Sequence, residues 1–292
     1  MLKERFLENL KRDQLMVAVR TGSAEDAYHA AMACVDGGIR FIEITFSVPG
    51  ADEVIRRMSV DERVVVGAGT VLSVEDAKKA LTAGASYLVS PVLDEEVVAF
   101  AKKHDLIVIS DLAYSEMSYD GYKPMSFLEV EGARDVGIEF HSHSKTFNMT
   151  GWRVGWACGN KKLVSGLAKV KSNIDSGIFS AIQVSAVTAL EADPVHVQKM
   201  CDLYQERRDV LVDGLNRLGW KASKPKATFY VWVKVPPKRS SIEFAAVLLE
   251  RGDLVVTPGV GFGASGEGYV RFALTVPKER VAVALERLKK VL

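Results

Sequence analysis

Five short apolar runs, each separated from the next by an amphipathic segment, constrain this chain more than any other feature. The runs lie at Leu15–Val19, Ile39–Phe46, Val64–Val66, Ser86–Val89 and Leu106–Ile109. Between them stand SAEDAYHAAMACVDGG, PGADEVIRRM, SVEDAKKALTAG and LDEEVVAFAKKH. Ser23 and Ser73 suit helix N-caps, and the acidic residues after them suit the positive end of a helix dipole. Gly37–Gly38 and Gly84 fall where helices should stop. Continuous apolar strands alternating with helices call for a parallel sheet buried on both faces. The strand starts are roughly twenty-odd residues apart, the spacing of βα units in barrels and doubly wound sheets. An α/β fold follows, with four or five parallel strands forming part of an open sheet or half of a barrel.

After Ile109 the texture changes. SDLAYSEMSYDGYKPMSFLEVEG is polar, aromatic and turn-rich, and nothing in it resumes the βα beat. VGIEFHS and RVGWACG read as two further strands joining the same sheet, and a long helical stretch is expected from Lys161 to about Leu190. Pro194 interrupts it, and a second long helix runs to Gly219. ATFYVWVKV, IEFAAVLLERG, LVVTPG, YVRFALT and KERVAVALERLKKVL then mix strands and helices at hairpin-length spacing, which reads as a small α+β domain.

Charge and cysteine usage exclude several classes. Lys+Arg 38 against Asp+Glu 37 leaves a net charge of +1, so no global basic field is available for nucleic acid. The three cysteines, Cys34, Cys158 and Cys201, form neither a disulfide framework nor a CxxC zinc pattern, and a reducing cytoplasm is expected. The opening MLKERFLENLKRDQ lacks an apolar signal core, and runs such as VVVGAG and LIVI are far short of a membrane span. A cytoplasmic enzyme with a small-molecule substrate, and neither a nucleic-acid nor a membrane partner, is the expectation.

The sharpest constellation is Asp111, Tyr114, Ser142, Lys145 and Arg153, in DLAY and SHSKTFNMTGWRVG. Asp111 and Tyr114 follow a buried strand, where α/β sheets place ligands. Lys145 stands in a polar turn after a strand, where a lysine can form a Schiff base with an aldehyde. A carboxylate for a pyridinium nitrogen, a lysine for an aldehyde carbon, and an arginine with small hydroxyls for a phosphate are what pyridoxal 5'-phosphate requires.

On these motifs, residues from about 104 to 292 resemble the C-terminal part of a class I/II (fold type I) pyridoxal-phosphate aminotransferase of the LL-diaminopimelate and aspartate type. The resemblance implies that Asp111 pairs with the pyridine nitrogen and Tyr114 donates to the ring hydroxyl. It makes Ser142 and Arg153 the phosphate holders, Lys145 the Schiff-base lysine, and Arg271 in YVRFAL the residue that grips the substrate carboxylate. It also implies a PLP-transferase large-domain segment over 104–195, a small domain over 196–292, and a homodimer. The family's glycine/serine phosphate cup, stacking aromatic and Asn-Pro turn have no counterpart before residue 104.

Residues 1–103 instead resemble the first half of a 2-keto-3-deoxy-6-phosphogluconate / 4-hydroxy-2-oxoglutarate aldolase, a (βα)₈ barrel. The motifs are VAVR, GGIRFIEITFSVPGADEVI, VGAGTVLS, AGASYLVSP and LDEEVVAF. That resemblance makes Glu43 a general base and places Arg20, Thr70 and Pro91 around a keto-acid pocket, without the aldolase's own lysine motif. The chain thus resembles a splice of two enzyme families, joined in AKKHDLIVIS. Three outcomes follow: transamination through Lys145, impaired by the replaced upstream half; an aldolase (lyase) acting on a 2-keto-3-deoxy or 4-hydroxy-2-oxo acid; or a folded hybrid without activity.

Weaker signals read more simply. VVVGAGTVL fails the dinucleotide pattern because Leu72 stands at the third glycine position, so a strand ending in a tight turn is expected. His141 and His143 flank Ser142 without any nearby carboxylate or cysteine at ligand spacing, so they read as turn or pocket-wall histidines and no metal is expected. GVGFGASGEG lacks a GK[ST] ending and reads as a loop on the substrate side. The basic KVKSN stretch reads as a solvated helix face, and Trp152 and Trp156 as packing residues.

Overall fold

A computed structural model of the chain describes residues 15–90 and 93–291. Its contacts divide into two units: Met1–Ala113 with Met125–Ser144 and Met149–Leu190, and Tyr114–Pro124 with Lys145–Asn148 and Glu191–Leu292.

The first unit holds a seven-stranded sheet whose strands lie in chain order. They are β1 (Met16–Val19), β2 (Phe41–Thr45), β3 (Val65–Gly69), β4 (Tyr87–Ser90), β5 (Ile107–Asp111), β6 (Gly137–Ser142) and β7 (Gly155–Gly159). Neighbours are parallel up to β6, and β7 returns antiparallel to it. VGIEFHS and RVGWACG do join the sheet begun by the five earlier runs.

The connecting helices are α1 (Ala24–Asp36), α2 (Ala51–Ser59), α3 (Val74–Thr82) and α4 (Glu95–Lys103). Sequential parallel order with crossovers of one hand places such helices on one face of the sheet. Ala27, Ala31, Val54, Ile55 and Met58 pack there on Ile42, Ile44, Val66, Ala68, Leu88 and Val108. Ser23 and Ser73 cap α1 and α3 as expected, accepting from the amides of Asp26 and Asp76. Side chains of alternate parity fill the opposite face, where Phe41, Val65, Tyr87, Ile107 and Ile138 join Leu163. Burial on both faces is what the uninterrupted apolar runs required. Short α5 (Ala133–Val136) precedes β6, and α6 (His143–Thr146) follows it.

The helical stretch expected from Lys161 to Leu190 is two helices, α7 (Lys161–Asp175) and α8 (Ser180–Glu191). Asp175 accepts from the amide of Gly177 at 3.1 Å, and Ser176 takes a left-handed conformation (φ 57°). An aspartate that bonds the backbone two residues on offers the chain a turn in place of the next helical hydrogen bond.

The second unit contains α9 (Val195–Arg217), α10 (Ser241–Gly252) and α11 (Lys278–Val291) with an antiparallel sheet ordered β8 (Tyr230–Lys234), β10 (Tyr269–Ala273), β9 (Thr257–Pro258). Leu211, Leu215, Val231, Val233, Phe244, Leu248, Val270 and Leu288 form its core. The polar aromatic segment after Ile109 finds its explanation here. Tyr119 N donates to Lys226 O at 2.8 Å and Thr228 N to Met117 O at 2.9 Å. Arg208, 1% exposed, donates to both Asp120 carboxylate oxygens (2.7 and 3.1 Å) and to Pro225 O (3.0 Å).

Candidate active site

In the first unit, Asp111 is the exposed last residue of β5 and lies in register with Phe140. Ser142 closes β6 two residues further, so both polar groups stand at the carboxyl ends of adjacent parallel strands, the end where open α/β sheets bind ligands. Arg153 takes a left-handed conformation (φ 53°) after the turn Thr150–Trp152. Its guanidinium donates to Thr150 O at 2.9 Å and to Ser144 Oγ at 3.4 Å. A planar guanidinium beside a serine hydroxyl is a donor set that fits a phosphate. Ser144 was passed over in the sequence because its neighbour Ser142 carried the family motif.

The second unit holds Tyr114, Lys145 and Arg271. Lys145 Nζ lies 5.9 Å from the centre of the Tyr114 ring. Burial, and then the neighbouring Tyr230 hydroxyl, push the Tyr114 phenol up to about 12, so it remains a hydrogen-bond donor at neutral pH. Arg271 lies between two aromatic rings, its Cζ 3.8 Å from the centre of Tyr230 and 4.3 Å from that of Phe262. Trp232, the register partner of Arg271, meets Phe262 edge-on at 5.1 Å. Flanking rings fix the plane of the guanidinium while leaving its edge able to form paired hydrogen bonds. Phe262 belongs to the glycine-rich loop, where the Gly259 and Gly266 backbones pass so close that neither has room for a Cβ. Tyr230 and Phe262 were missed in the sequence; a packing partner two strands or one loop away leaves no local signal.

The aldolase-like residues lie in the first unit. Arg20 follows β1, Glu43 stands on β2 and Thr70 follows β3 in a left-handed conformation (φ 57°). Pro91 lies outside the described residues. Burial raises the Glu43 carboxyl, and the charge of Arg20 opposes that rise. The two glycines of VVVGAG have structural work: a Cβ at Gly67 would overlap the Tyr87 ring, and one at Gly69 the Glu43 carboxylate.

One cluster was not foreseen. Glu139 and Cys158 are register partners across β6 and β7, and His141 lies two residues along the same strand face. His141 Nε2 is 2.8 Å from Glu139 Oε1, and its ring stacks on Trp156 at 3.9 Å. Burial works against the Glu139 anion, yet hydrogen bonds from His141, Ser126 and the Phe127 amide hold its carboxyl below the usual range. The cluster forms across strands, so spacing along the chain does not reveal it.

Comparison with known proteins gives two family matches. The family described as aminotransferase class I and II matches residues 93–288, and the KDPG and KHG aldolases match residues 7–120. The two overlap over 93–120, which contains α4 and β5 and the expected join. The LL-diaminopimelate aminotransferase of Syntrophobacter fumaroxidans is 55% identical over 197 residues, 68% of this chain and 51% of that protein. That of Moorella thermoacetica is 54% identical over 198 residues, with the same coverage of 68% and 51%. The chain therefore spans about half the length of the curated relatives it matches. Among solved structures, substrate-bound BacF from Bacillus subtilis superposes with a TM-score of 0.73 at 30% identity, covering 99% of this chain and 79% of that one. An aromatic aminotransferase from Pyrococcus horikoshii gives 0.72 at 27% identity, covering 100% and 85%.

Proposed function

From a chain that belongs to the class I and II aminotransferases, we propose transamination between an α-amino acid and a 2-oxo acid, with pyridoxal 5'-phosphate held at Lys145. When bound, that cofactor supplies an aldehyde to take up the amine and a pyridine ring to store electrons. Asp111 is the carboxylate for the ring nitrogen, and Tyr114, kept protonated, is a donor for the ring hydroxyl. Ser142, Ser144 and Arg153 are the phosphate donors. Lys145 Nζ would hold the cofactor by its aldehyde, and it is the base that would carry the proton of the substrate α-carbon. Arg271 receives the substrate α-carboxylate, and dicarboxylic amino acids such as glutamate or LL-diaminopimelate are the proposed substrates.

The observation that carries this reading is the Arg271 guanidinium fixed between Tyr230 and Phe262, in the same unit as Tyr114 and Lys145. Two parallel hydrogen bonds to a carboxylate orient the α-carbon, and orientation supplies a large part of catalysis. Residues 1–103 carry the aldolase-like motifs in place of the phosphate cup and stacking ring, so slow turnover is expected. A misplacement of about 1 Å can lose on the order of a hundredfold in rate. Single-turnover conversion of bound pyridoxal to pyridoxamine phosphate with glutamate tests the reading. Slow conversion supports it; full-speed turnover contradicts the impairment; no conversion by a loaded chain contradicts transamination.

A second reading is favoured by Glu43, a half-buried carboxyl that burial raises while the charge of Arg20 opposes the rise. It is a lyase acting on a 2-oxo acid. Borohydride trapping of pyruvate on the chain without pyridoxal phosphate supports it. Neither pyruvate trapping nor pyridoxal loading leaves the third outcome, a folded hybrid that catalyses neither reaction.

Three segments, 1–103, 104–195 and 196–292, then correspond to the aldolase-like units, the large-domain segment and the small domain. A homodimer in the cytoplasm completes the proposal. Ile174, Phe179, Val184, Val187 and Leu190 are exposed along α7, α8 and the turn between them, which supports self-association. Among the described residues no helix is long and apolar enough to cross a membrane.

A further inference from the structure

We propose that Glu139, His141 and Cys158 form a binding site for one thiophilic divalent cation of the zinc or cobalt kind. The proposal does not rest on the transamination reading. Antiparallel register sets the Glu139 carboxylate beside the Cys158 thiol, and strand alternation puts His141 on the same face. One donor atom from each residue lies within 4.8 Å of the other two. Tetrahedral zinc, with bonds of about 2.0–2.3 Å, keeps its donors roughly 3–4 Å apart, so small side-chain rotations bring this set into range. On binding, the contact between His141 Nε2 and Glu139 Oε1 opens, and both atoms turn to the cation. The thiol releases its proton to solvent and coordinates as thiolate.

The surroundings hold the donors in place. Glu139 is 1% exposed and accepts from Ser126 Oγ at 2.9 and 3.1 Å and from the Phe127 amide at 2.6 Å. His141 is fixed by its stack on Trp156, the rings inclined by only 8°. Such outer partners orient ligands in known metal sites. One thiolate, one imidazole and one carboxylate form a zinc-type set with a fourth position for water. Calcium and magnesium, which take oxygen ligands, are not matched by it. A cation here would tie β7 to β6, the strand that ends just before Lys145 in the chain.

The test is titration of Co²⁺ alone into the full chain without pyridoxal phosphate. A near-ultraviolet thiolate-to-cobalt band should appear, saturate at one equivalent per chain and disappear when Zn²⁺ is added. Cys158→Ser should abolish the band, whereas the double replacement Cys34→Ser, Cys201→Ser should leave it. Ser126→Ala should weaken binding by about tenfold or more. The native chain gives a readout that needs no variant. Zn²⁺ at about 100 times its Kd should slow alkylation of Cys158 by about a hundredfold, while Cys34 keeps its rate. No band in the native chain, a band that survives Cys158→Ser, or an unprotected Cys158 would each overturn the proposal.

Discussion

The guanidinium of Arg271 lies 3.8 Å over the ring of Tyr230, two register positions along the β8–β10 pair from its own partner Trp232. A strand arginine would ordinarily sample many rotamers, and close contact with the Tyr230 and Phe262 rings removes most of that freedom. Phe262→Leu should therefore weaken binding of a dicarboxylate by about fivefold, the value of one cation–π contact of about 1 kcal/mol. Arg271→Lys keeps the charge and loses the planar fork, so it should weaken binding by about tenfold or more. Calorimetric titration of both variants checks this; equal affinity in Phe262→Leu and the native chain would show that the ring does not position the arginine.

Glu43 gives a pH dependence of defined sign. Its folded carboxyl is raised above the ordinary 4.5 by burial, with Arg20 opposing. The native state therefore binds that proton more tightly than the unfolded chain. The resulting stability is fully present below pH 4.5 and is lost as pH rises through the folded value. Glu43→Gln should raise the melting temperature at neutral pH, and the gain should shrink as pH falls below that ordinary value. A gain that persists in acid would point to packing rather than ionisation.

Arg208 is the largest fully buried side chain in the second unit and depends on Asp120 for two of its hydrogen bonds. Asp120→Ala leaves Asp209 and Pro225 O to satisfy the cation. A lower unfolding midpoint is expected, because the buried guanidinium loses two of its acceptors. Urea unfolding measures it, and an unchanged midpoint would mean that Asp209 and Pro225 O suffice.

Much of the fold was legible because the local signals agreed. The apolar runs, the serine caps at Ser23 and Ser73 and the stop glycines all pointed to βα units, and all were found. The family motifs picked out Asp111, Tyr114, Lys145 and Arg271 as candidates. What stayed hidden depends on distant neighbours. The 114–124 segment looked like an irregular loop because its partners, Lys226 and Thr228, lie about a hundred residues on. Cys158 looked isolated because only strand register sets it beside Glu139. The break at Ser176 was missed because a strong helical pattern stands on both sides, and one Asx turn outweighs it.

The proposed homodimer would use the apolar surface of α8 and the turn before it. Phe179→Glu with Val187→Glu should shift a dimer to monomer in light scattering at fixed concentration while leaving far-ultraviolet circular dichroism unchanged. A dimer that survives both charges would place the interface elsewhere.

Lys145 is the proposed attachment point of pyridoxal phosphate. Borohydride reduction of the loaded chain, followed by proteolysis and mass spectrometry, tests this. A single pyridoxyl-phosphate adduct is expected on the peptide containing Lys145, lost in Lys145→Ala together with the visible absorbance. An adduct on another lysine, or a Lys145→Ala variant that still loads and absorbs, would contradict it.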